Sequence, residues 1–531
     1  MRRHLIVLLA SIAAPLLLWR AVTRAQPAGR TYYVDCSAAE QGNGSRSRPW
    51  NTLASANSFH FTPDDQLLLR RGATCKGLLH PLGSGTPGAP IVVSAYGKGR
   101  RPIIDGGENL AAVELFDQSG WEIRGLEVMG GDRYGIFIGG KTPHLHLAHI
   151  VLANLDVHGA HYTAPRRSDS GEVFLSPRGL GEALDDVLIE HVIAHDTKAS
   201  EGIIVNAGGA FQGNRQTLGS NIVVENSTVH NVYGDGLLVT EAQHAVIRDN
   251  IVYQTGLCRA CTGTTPSGLW EWYCHYCIVE GNESYSNHSW NQHDGGDFDI
   301  DYYNTHNIVE YNYGHDSDGY CISFFGAGGT ADVDNVFRYN ICANNGRKAS
   351  NAGQGDVLVS TWNGGSIDGM EIYNNTFYWN PATNAPAFNL SGAHFSGSLP
   401  RFIKNNIVIS TSGAFLDATS AVQFNHNLYS TAAHSPAWRY DGENYLSFSA
   451  YRAASHQDGQ SLLADPRLRD PEYHAAGRPG VAFTLLPGSP ALDAGANVCA
   501  GVHGCSMGAR DFWGHPLSPG AAINIGAGQA P

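Results

Sequence analysis

The pattern that decides the fold is clearest in residues 278–282, IVEGN, and in residues 308–312, IVEYN. Each is a short apolar strand that ends in an asparagine. The same arrangement recurs before and after them, in residues 222–226, 246–250, 336–340, 372–375 and 402–406. The asparagines from Asn226 to Asn406 recur at a mean spacing of about 30 residues, which is a repeat length typical of solenoid proteins.

Further short strands lie between these stretches, as in residues 236–239 and 356–359. Several strands per repeat, joined by turns rich in asparagine and glycine, predict the coils of a parallel β-helix. Coils stack at the ~4.8 Å spacing of paired strands, so asparagines at one turn are expected to form a hydrogen-bonded ladder. The alternative, an antiparallel sandwich or propeller, would show regular Asn-Gly or Asp-Gly hairpins, and these are not regularly present.

The composition narrows the class of protein. The chain has 531 residues, 42% of them hydrophobic and 15% charged, with a formal net charge of -14. This hydrophobic content excludes a disordered chain, and the acidic balance without a basic block argues against nucleic-acid binding. Because a solenoid grows by adding coils, 531 residues fit one elongated domain. We expect a monomer.

Residues 1–25 are predicted to be a secretory signal peptide. Arg2 and Arg3 precede an apolar stretch, and small residues stand near Ala25 at the expected cleavage site. The alternative is a membrane anchor, but the apolar stretch is shorter than the ~20 residues of a spanning helix. We therefore expect a secreted protein, extracellular or periplasmic, with no membrane association after cleavage and with disulfides permitted.

Both ends of the mature chain resemble the secreted right-handed parallel β-helix proteins of the pectin-lyase-like superfamily. The resemblance rests on residues 31–35, 49–53, 61–65 and 67–72 at the start, and on 489–495, 510–514 and 525–527 at the end. It implies an all-β fold, a single-stranded right-handed parallel β-helix. The implied divisions are an N-terminal cap with the first strands (26–90), the β-helix (91–455) and an irregular C-terminal closing segment (456–531). Such a resemblance predicts the fold and leaves the reaction open.

The richest chemical stretch is residues 293–301, HDGGDFDID. Side chains alternate along a strand, so its two apolar residues would face the core and Asp297, Asp299 and Asp301 would share the outer face. Crowded carboxylates raise one another's pKa, which suits a general acid, and glycoside hydrolysis needs two such groups. We predict catalysis by these three aspartates with Asp318 and His293. The alternatives are a calcium site at Asp297, Asp299 and Asp301, or solvated turn residues; the hydrolase requires no cofactor.

Residues 297–324 are similar to the catalytic coils of polygalacturonase-type glycosidases. Asp297 or Asp299 would match that family's first aspartate, and Asp318 would match its second. Two residues separate Asp318 from Cys321 where the family has adjacent residues, and the family's Gly-His-Gly is missing. The resemblance therefore implies a distant hydrolase of a polysaccharide.

Two other functions remain open. A lyase or epimerase acting on a uronate polymer needs a base, and no lysine stands between Lys198 and Lys348. Arg248, Arg259 and Arg338 are available in the central coils, and a histidine or tyrosine base such as His293, His315 or Tyr320 also keeps this function open. The third reading is a non-catalytic β-helix that binds glycans or mediates adhesion.

Aromatic and acidic residues near this stretch are predicted to bind the substrate, because sugar rings stack on aromatic faces. They are Trp270, Trp272, Tyr273, Trp290, Asp235, Glu201, His315 and Tyr320. A small satellite core under a loop is the alternative for the aromatic residues.

The ten cysteines fall into local groups. Cys258, Cys261, Cys274 and Cys277 form two CxxC pairs, which bind zinc in many proteins; in an exported chain we favour disulfides. Within the cap Cys36 is expected to pair with Cys75, and near the end Cys499 with Cys505. For Cys321 and Cys342 both a disulfide and buried thiols remain open.

Overall fold

The computed structural model describes residues 29–161, 169–198, 201–209, 217–259, 266–290, 293–348, 354–502, 505–518, 520 and 522–529. The signal peptide predicted for residues 1–25 lies outside these ranges. Within them, no helix has both the length and the apolar character needed to cross a bilayer.

Successive coils each add a strand to up to three faces, and the strands are numbered in chain order. Face one contains β6 (Ala111–Phe116), β9 (Tyr134–Gly140), β12 (Gly171–Pro177), β15 (Glu201–Asn206), β18 (Leu237–Gln243), β21 (Leu269–His275), β24 (Phe298–Ile300), β27 (Ile322–Gly326), β30 (Val357–Thr361), β33 (Phe388–Gly392), β36 (Ala414–Ala418) and β39 (Ala437–Tyr440).

Face two contains β1 (Thr31–Val34), β2 (Gln66–Arg70), β4 (Ile91–Tyr96), β7 (Trp121–Arg124), β10 (His146–Ala153), β13 (Ala183–Glu190), β16 (Gly219–Glu225), β19 (Val246–Arg248), β22 (Ile278–Glu280), β25 (Ile308–Glu310), β28 (Ala331–Arg338), β31 (Ser366–Tyr373), β34 (Arg401–Lys404) and β37 (Gln423–Asn425).

Face three contains β3 (Thr74–Lys76), β5 (Ile103–Asp105), β8 (Glu127–Met129), β11 (Asp156–His158), β14 (Ile193–His195), β17 (Thr228–His230), β20 (Ile251–Tyr253), β23 (Glu283–Tyr285), β26 (Tyr313–His315), β29 (Ile341–Ala343), β32 (Thr376–Trp379), β35 (Ile407–Ser410), β38 (Leu428–Ser430) and β41 (Leu462–Leu463). The remaining elements are β40 (Glu443–Tyr445), which pairs antiparallel with β39, and the helices α1 (Leu53–Asn57) and α2 (Phe448–Ser455).

Parallel pairing carries equivalent residues into columns along the tube. Val279 of β22 pairs with Val309 of β25, which pairs with Phe337 of β28, and all three belong to one continuous apolar core. Because strand side chains alternate, each column faces either the core or the outside for its whole length. The predicted all-β parallel β-helix is confirmed.

The predicted asparagine ladder is also confirmed. It consists of Asn250, Asn282, Asn312, Asn340, Asn375, Asn406 and Asn427. Each side-chain amide donates to the next side-chain oxygen at 3.0–3.2 Å, and all seven residues are buried. The prediction is wrong at Asn226, which occupies a left-handed turn position with a φ of 50°. The next residue takes its place at the end of the ladder, because the Ser227 backbone amide donates to Asn250 Oδ1.

The C-terminal segment contains no helix or strand in its described part after β41. It runs along the outside of faces two and three, where Phe483, Phe512 and Ile525 pack on Tyr313 and Ile407. Its backbone is tied to the coils, as where the Gly526 amide donates to the Asn405 carbonyl at 2.7 Å. The tail therefore covers outer surfaces other than that of face one.

The cysteines partly follow expectation. Cys36–Cys75 and Cys499–Cys505 form the predicted disulfides, and Cys321–Cys342 forms a third. Cys258 is also disulfide-bonded, and Cys261 lies outside the described residues. Cys274 and Cys277 are buried free thiols inside the tube. Neither a four-cysteine zinc site nor disulfides at all four positions fits this arrangement, since Cys258 is oxidised while the second CxxC pair is not.

Candidate active site

The outer surface of face one carries a row in which Trp270, Asp299 and Ser323 are neighbours on successive coils. Phe298 and Ile300, which flank Asp299 on β24, belong to the core, as predicted. Strand alternation therefore sends the Asp299 side chain outward. The preceding coils place buried apolar side chains in the same row, ending with Ile204 and Leu238, so Asp299 begins the polar part of this surface.

Asp297 does not share this surface, and the prediction of three aspartates on one exposed face is wrong. Extending the register of Leu269 and Phe298 by one residue places Asp297 in a column with Gly268, where an added Cβ would lie 2.2 Å from an interior serine hydroxyl. Asp297 is fully buried and accepts hydrogen bonds from Ser317 Oγ at 2.5 Å and Asn287 Nδ2 at 3.1 Å. Asp297 precedes β24, so the alternation of side chains within that strand does not extend to it, which accounts for the error.

Four outward carboxyl groups do come together: Asp235, Asp294, Asp299 and Asp301. We call them the acid cluster. The Tyr320 hydroxyl lies 3.1 Å from Asp294 Oδ1 and 3.4 Å from Asp299 Oδ2 and donates to one of them at a time. Ser323 Oγ donates to Asp299 Oδ1 at 2.6 Å. Asp294 and Ser323 were missed in the sequence, although Asp294 lies within the acidic stretch, because only the register brings them to Asp299.

Asp235 joins the acid cluster from the earlier coils. Its carboxylate Oδ1 accepts from the Ser267 amide at 2.8 Å, and the Ser267 hydroxyl is 2.9 Å from that of Tyr320. The Asp235 amide in turn donates to Glu201 Oε2 at 2.8 Å. Extending the strand register places Glu201 beside Asp235 on the neighbouring coil. Trp270 lies against Asp235 and helps to lower its pKa.

Burial dominates the electrostatics of the acid cluster. It raises the pKa of Asp235 and of Asp294 to about 6. Burial, reinforced by the neighbouring carboxylates, raises the pKa of Asp299 and Asp301 well above the ordinary value. The one positive influence among the described residues is His293, which partly lowers the pKa of Asp294. The cluster therefore places carboxyl groups with raised pKa values side by side, and a carboxyl group with a raised pKa suits a general acid.

The other predicted polar residues lie elsewhere. Asp318 faces His288, with Oδ2 3.4 Å from Nδ1, and accepts from the Ser289 amide at 3.2 Å. His315 belongs to β26 on face three, where it is 1% exposed and bonded to Asp316 and Glu283. Its prediction as a substrate-binding residue is wrong, because face three is separated from face one by the core.

An aromatic surface adjoins the acid cluster. The Trp272 ring lies 5.7 Å from that of Tyr302, which lies 5.9 Å from Trp362, and Phe325 bridges Trp362 and Tyr320. Trp362 is 40% exposed. The predicted Tyr273 contacts Trp272, so it joins this surface from the side. Trp362, Tyr302 and Phe325 were not predicted. Tyr302 directly follows the acidic stretch, whereas Phe325 and Trp362 come close to it only through the stacking of later coils.

Trp290 has a different partner from the other aromatic residues. Its ring is 41% exposed and stacks under the guanidinium of Arg259 at 4.7 Å.

The calcium site predicted at Asp297, Asp299 and Asp301 does not form, because Asp297 faces the interior. Within the described residues, two groups bring ligand atoms of three acidic, cysteine or histidine side chains within 4.8 Å of one another, and neither contains a member of the acid cluster. The cluster therefore lacks the tight convergence of oxygens found in a preformed calcium site.

No protein-family model matches the sequence. The uncharacterised protein YwoF of Bacillus subtilis (strain 168) is 24% identical over 526 residues, covering 92% of this chain and 99% of that protein. Among solved structures, the GH136 lacto-N-biosidase from Eubacterium ramulus is similar, with a TM-score of 0.54, 18% identity, and coverage of 82% of this chain and 67% of the other. The pectate lyase Pel9A has a TM-score of 0.44 and 14% identity, with coverage of 96% and 98%. The likeness to the lacto-N-biosidase is one of fold, the parallel β-helix that the strand pairing of this chain also shows.

Proposed function

We propose that the protein is a carbohydrate-active enzyme that hydrolyses a polysaccharide at the acid cluster. The observation that carries the proposal is the outward set of carboxyl groups with raised pKa values on face one, beside exposed aromatic rings. The lacto-N-biosidase with the same fold is a precedent for glycoside chemistry on this scaffold, although the two chains are 18% identical.

In the proposed mechanism a neutral carboxyl group protonates the leaving glycosidic oxygen. Asp299 suits this role, because burial and the neighbouring carboxyl groups raise its pKa well above the ordinary value. Asp235 or Asp294, each with a pKa of about 6, supplies the carboxylate that activates water or attacks the sugar. Tyr320 holds Asp294 and Asp299 in place through its hydroxyl. We expect the rate to fall below about pH 6, where this base becomes protonated.

Secretion and a polysaccharide partner are part of the same proposal. Three disulfides within the described residues are compatible with an oxidising compartment. An extracellular or periplasmic site of action would give the enzyme access to polymers, and we propose that it acts as a monomer.

The test is a screen of the purified protein against a panel of polysaccharides, with Asp299→Asn and Asp235→Asn as variants. New reducing ends without the absorbance of unsaturated uronates mean hydrolysis. Each variant should lower the rate by about 10²–10⁴-fold. Asp417→Asn is the matched control, because Asp417 lies further along the same outward row but pairs with Arg439 at 2.8 Å. Full activity in both site variants would place the chemistry elsewhere.

A lyase or epimerase is the second candidate. The acid cluster is not a preformed calcium site by itself, but its carboxylates could complete one together with the carboxylates of an acidic substrate. Tyr320 is a poor base for it, because burial and the adjacent aspartates raise the pKa of its hydroxyl well above the usual value. His293, which is exposed beside Asp294, is the better base. Unsaturated-uronate absorbance that is lost with a calcium chelator and in His293→Ala would favour this reading over hydrolysis.

A further inference from the structure

A glutamate stands inside the tube where the neighbouring coils have apolar side chains. Glu271 of β21 occupies a core column between Val239 and Ile300, and the column continues through Val205 and Phe324. Glu271 is fully buried, and neither carboxylate oxygen has a hydrogen-bond partner among the described residues. An unpaired buried polar group costs about 1–3 kcal/mol, so this position calls for an explanation.

The two free thiols converge on this carboxylate. Cys274 and Cys277 are fully buried, and one ligand atom from each lies within 4.8 Å of the others and of a Glu271 oxygen. Each thiol also has a hydrogen bond to the backbone: Cys274 Sγ donates to the Val239 carbonyl at 3.4 Å, and the Ala245 amide donates to Cys277 Sγ at 3.4 Å.

The next coil holds both cysteines in place. The Cys274 amide donates to Asn304 Oδ1 at 2.7 Å, and the Cys277 amide donates to Asn307 Oδ1 at 2.8 Å. Asn307 lies near enough to Glu271 to affect its charge, but its well-formed amide hydrogen bond goes to the Cys274 carbonyl at 2.9 Å. The next coil therefore fixes the backbone of both cysteines, while their sulfur atoms and a Glu271 oxygen lie within 4.8 Å of one another.

We propose that Glu271, Cys274 and Cys277 form a buried binding site for one zinc-class divalent ion. Two thiolates and a carboxylate are ligands that Zn²⁺ accepts, and a water molecule bound with the ion would complete four-coordination. Binding releases the thiol and carboxyl protons to solvent as the metal–ligand bonds form, and the Ala245 amide offsets part of the charge on Cys277. Since the site is enclosed in the core, the ion stabilises the coil and takes no part in chemistry on face one.

A disulfide between Cys274 and Cys277 is the competing explanation. It would account for the closeness of the two thiols but would leave the Glu271 carboxylate as unpaired as before. The metal site accounts for both features.

The test is elemental analysis of the full-length purified protein, together with cobalt substitution during refolding. We expect about one zinc ion per chain, and a sulfur-to-cobalt charge-transfer band after refolding with Co²⁺. The zinc content per chain and the intensity of the cobalt band should each fall at least about tenfold in the Cys274→Ser/Cys277→Ser variant. Glu172→Gln, which changes an equally buried carboxyl group in an earlier coil, should change neither.

The wild-type protein decides the matter even if the double variant fails to fold. A metal-free chain that gives no cobalt band and whose Cys274 and Cys277 are both free after unfolding would overturn the proposal. A mass two daltons lower for the unreduced peptide spanning them would overturn it in favour of the disulfide.

Discussion

Replacing Asn312 by alanine tests whether the asparagine ladder holds the coils together. The side-chain oxygen of Asn312 accepts one hydrogen bond from the Asn282 backbone amide at 2.9 Å and another from Asn282 Nδ2 at 3.0 Å. The side-chain nitrogen of Asn312, Nδ2, donates to the Val279 carbonyl at 2.9 Å and to Asn340 Oδ1 at 3.0 Å. Asn282 Nδ2 keeps a second bond to Ile247, and Asn340 Oδ1 keeps one from the Asn312 backbone. The substitution thus removes the ladder partner of the Asn282 backbone amide and of the Val279 carbonyl.

Leaving two buried backbone groups without these partners should cost about 2–5 kcal/mol in the free energy of unfolding. The measurement is urea unfolding followed by far-ultraviolet circular dichroism, comparing midpoints at equal slope. Asn444→Ala is the control, because Asn444 is exposed on β40, and it should change stability by less than about 0.5 kcal/mol. A loss below that value in Asn312→Ala would mean that strand pairing and the apolar core hold the coils without the ladder.

Two further predictions concern pH and substrate binding. Burial raises the pKa of Glu172 to about 8, so its contribution to stability is full below pH 4.5 and is lost as pH rises towards 8. Across that range the wild type should lose about 1.4 kcal/mol per pH unit relative to Glu172→Gln, measured by urea unfolding, and parallel curves would contradict this. If the proposed function is correct, Trp362→Ala should raise KM about tenfold with little change in kcat, since the ring contacts substrate away from the bond that breaks. Tyr276→Ala, which removes an exposed ring stacked between His244 and His306, should leave KM unchanged, and equal effects of the two would refute a specific platform at Trp362.

The acid cluster shows how far sequence reasoning reached at the candidate site. Alternation correctly directed Asp299 outward and its two neighbours inward, because the period of a strand is set by local backbone geometry. The same reasoning failed for Asp297, which precedes the strand at a corner where another coil determines the direction of its side chain. Asp294 and Ser323 joined the cluster only through the alignment of coils.

The sequence by itself determined the solenoid, since a repeat of apolar strands ending in asparagine satisfies the core and the turns in every coil by the same local rules. The sequence also indicated two disulfides, Cys36–Cys75 within the cap and Cys499–Cys505 within the tail. Only the tertiary structure decided which acidic residues meet on face one, why His315 lies on face three, and that Glu271, Cys274 and Cys277 converge inside the tube. The meeting of acidic residues on face one depends on the register between coils about 30 residues apart, and no local pattern encodes a register to the single residue that reverses a side chain. Glu271, Cys274 and Cys277 lie within one coil, and the left-handed backbone at Tyr273 and Tyr276, with φ of 52° and 57°, departs from the strand alternation that a local pattern predicts.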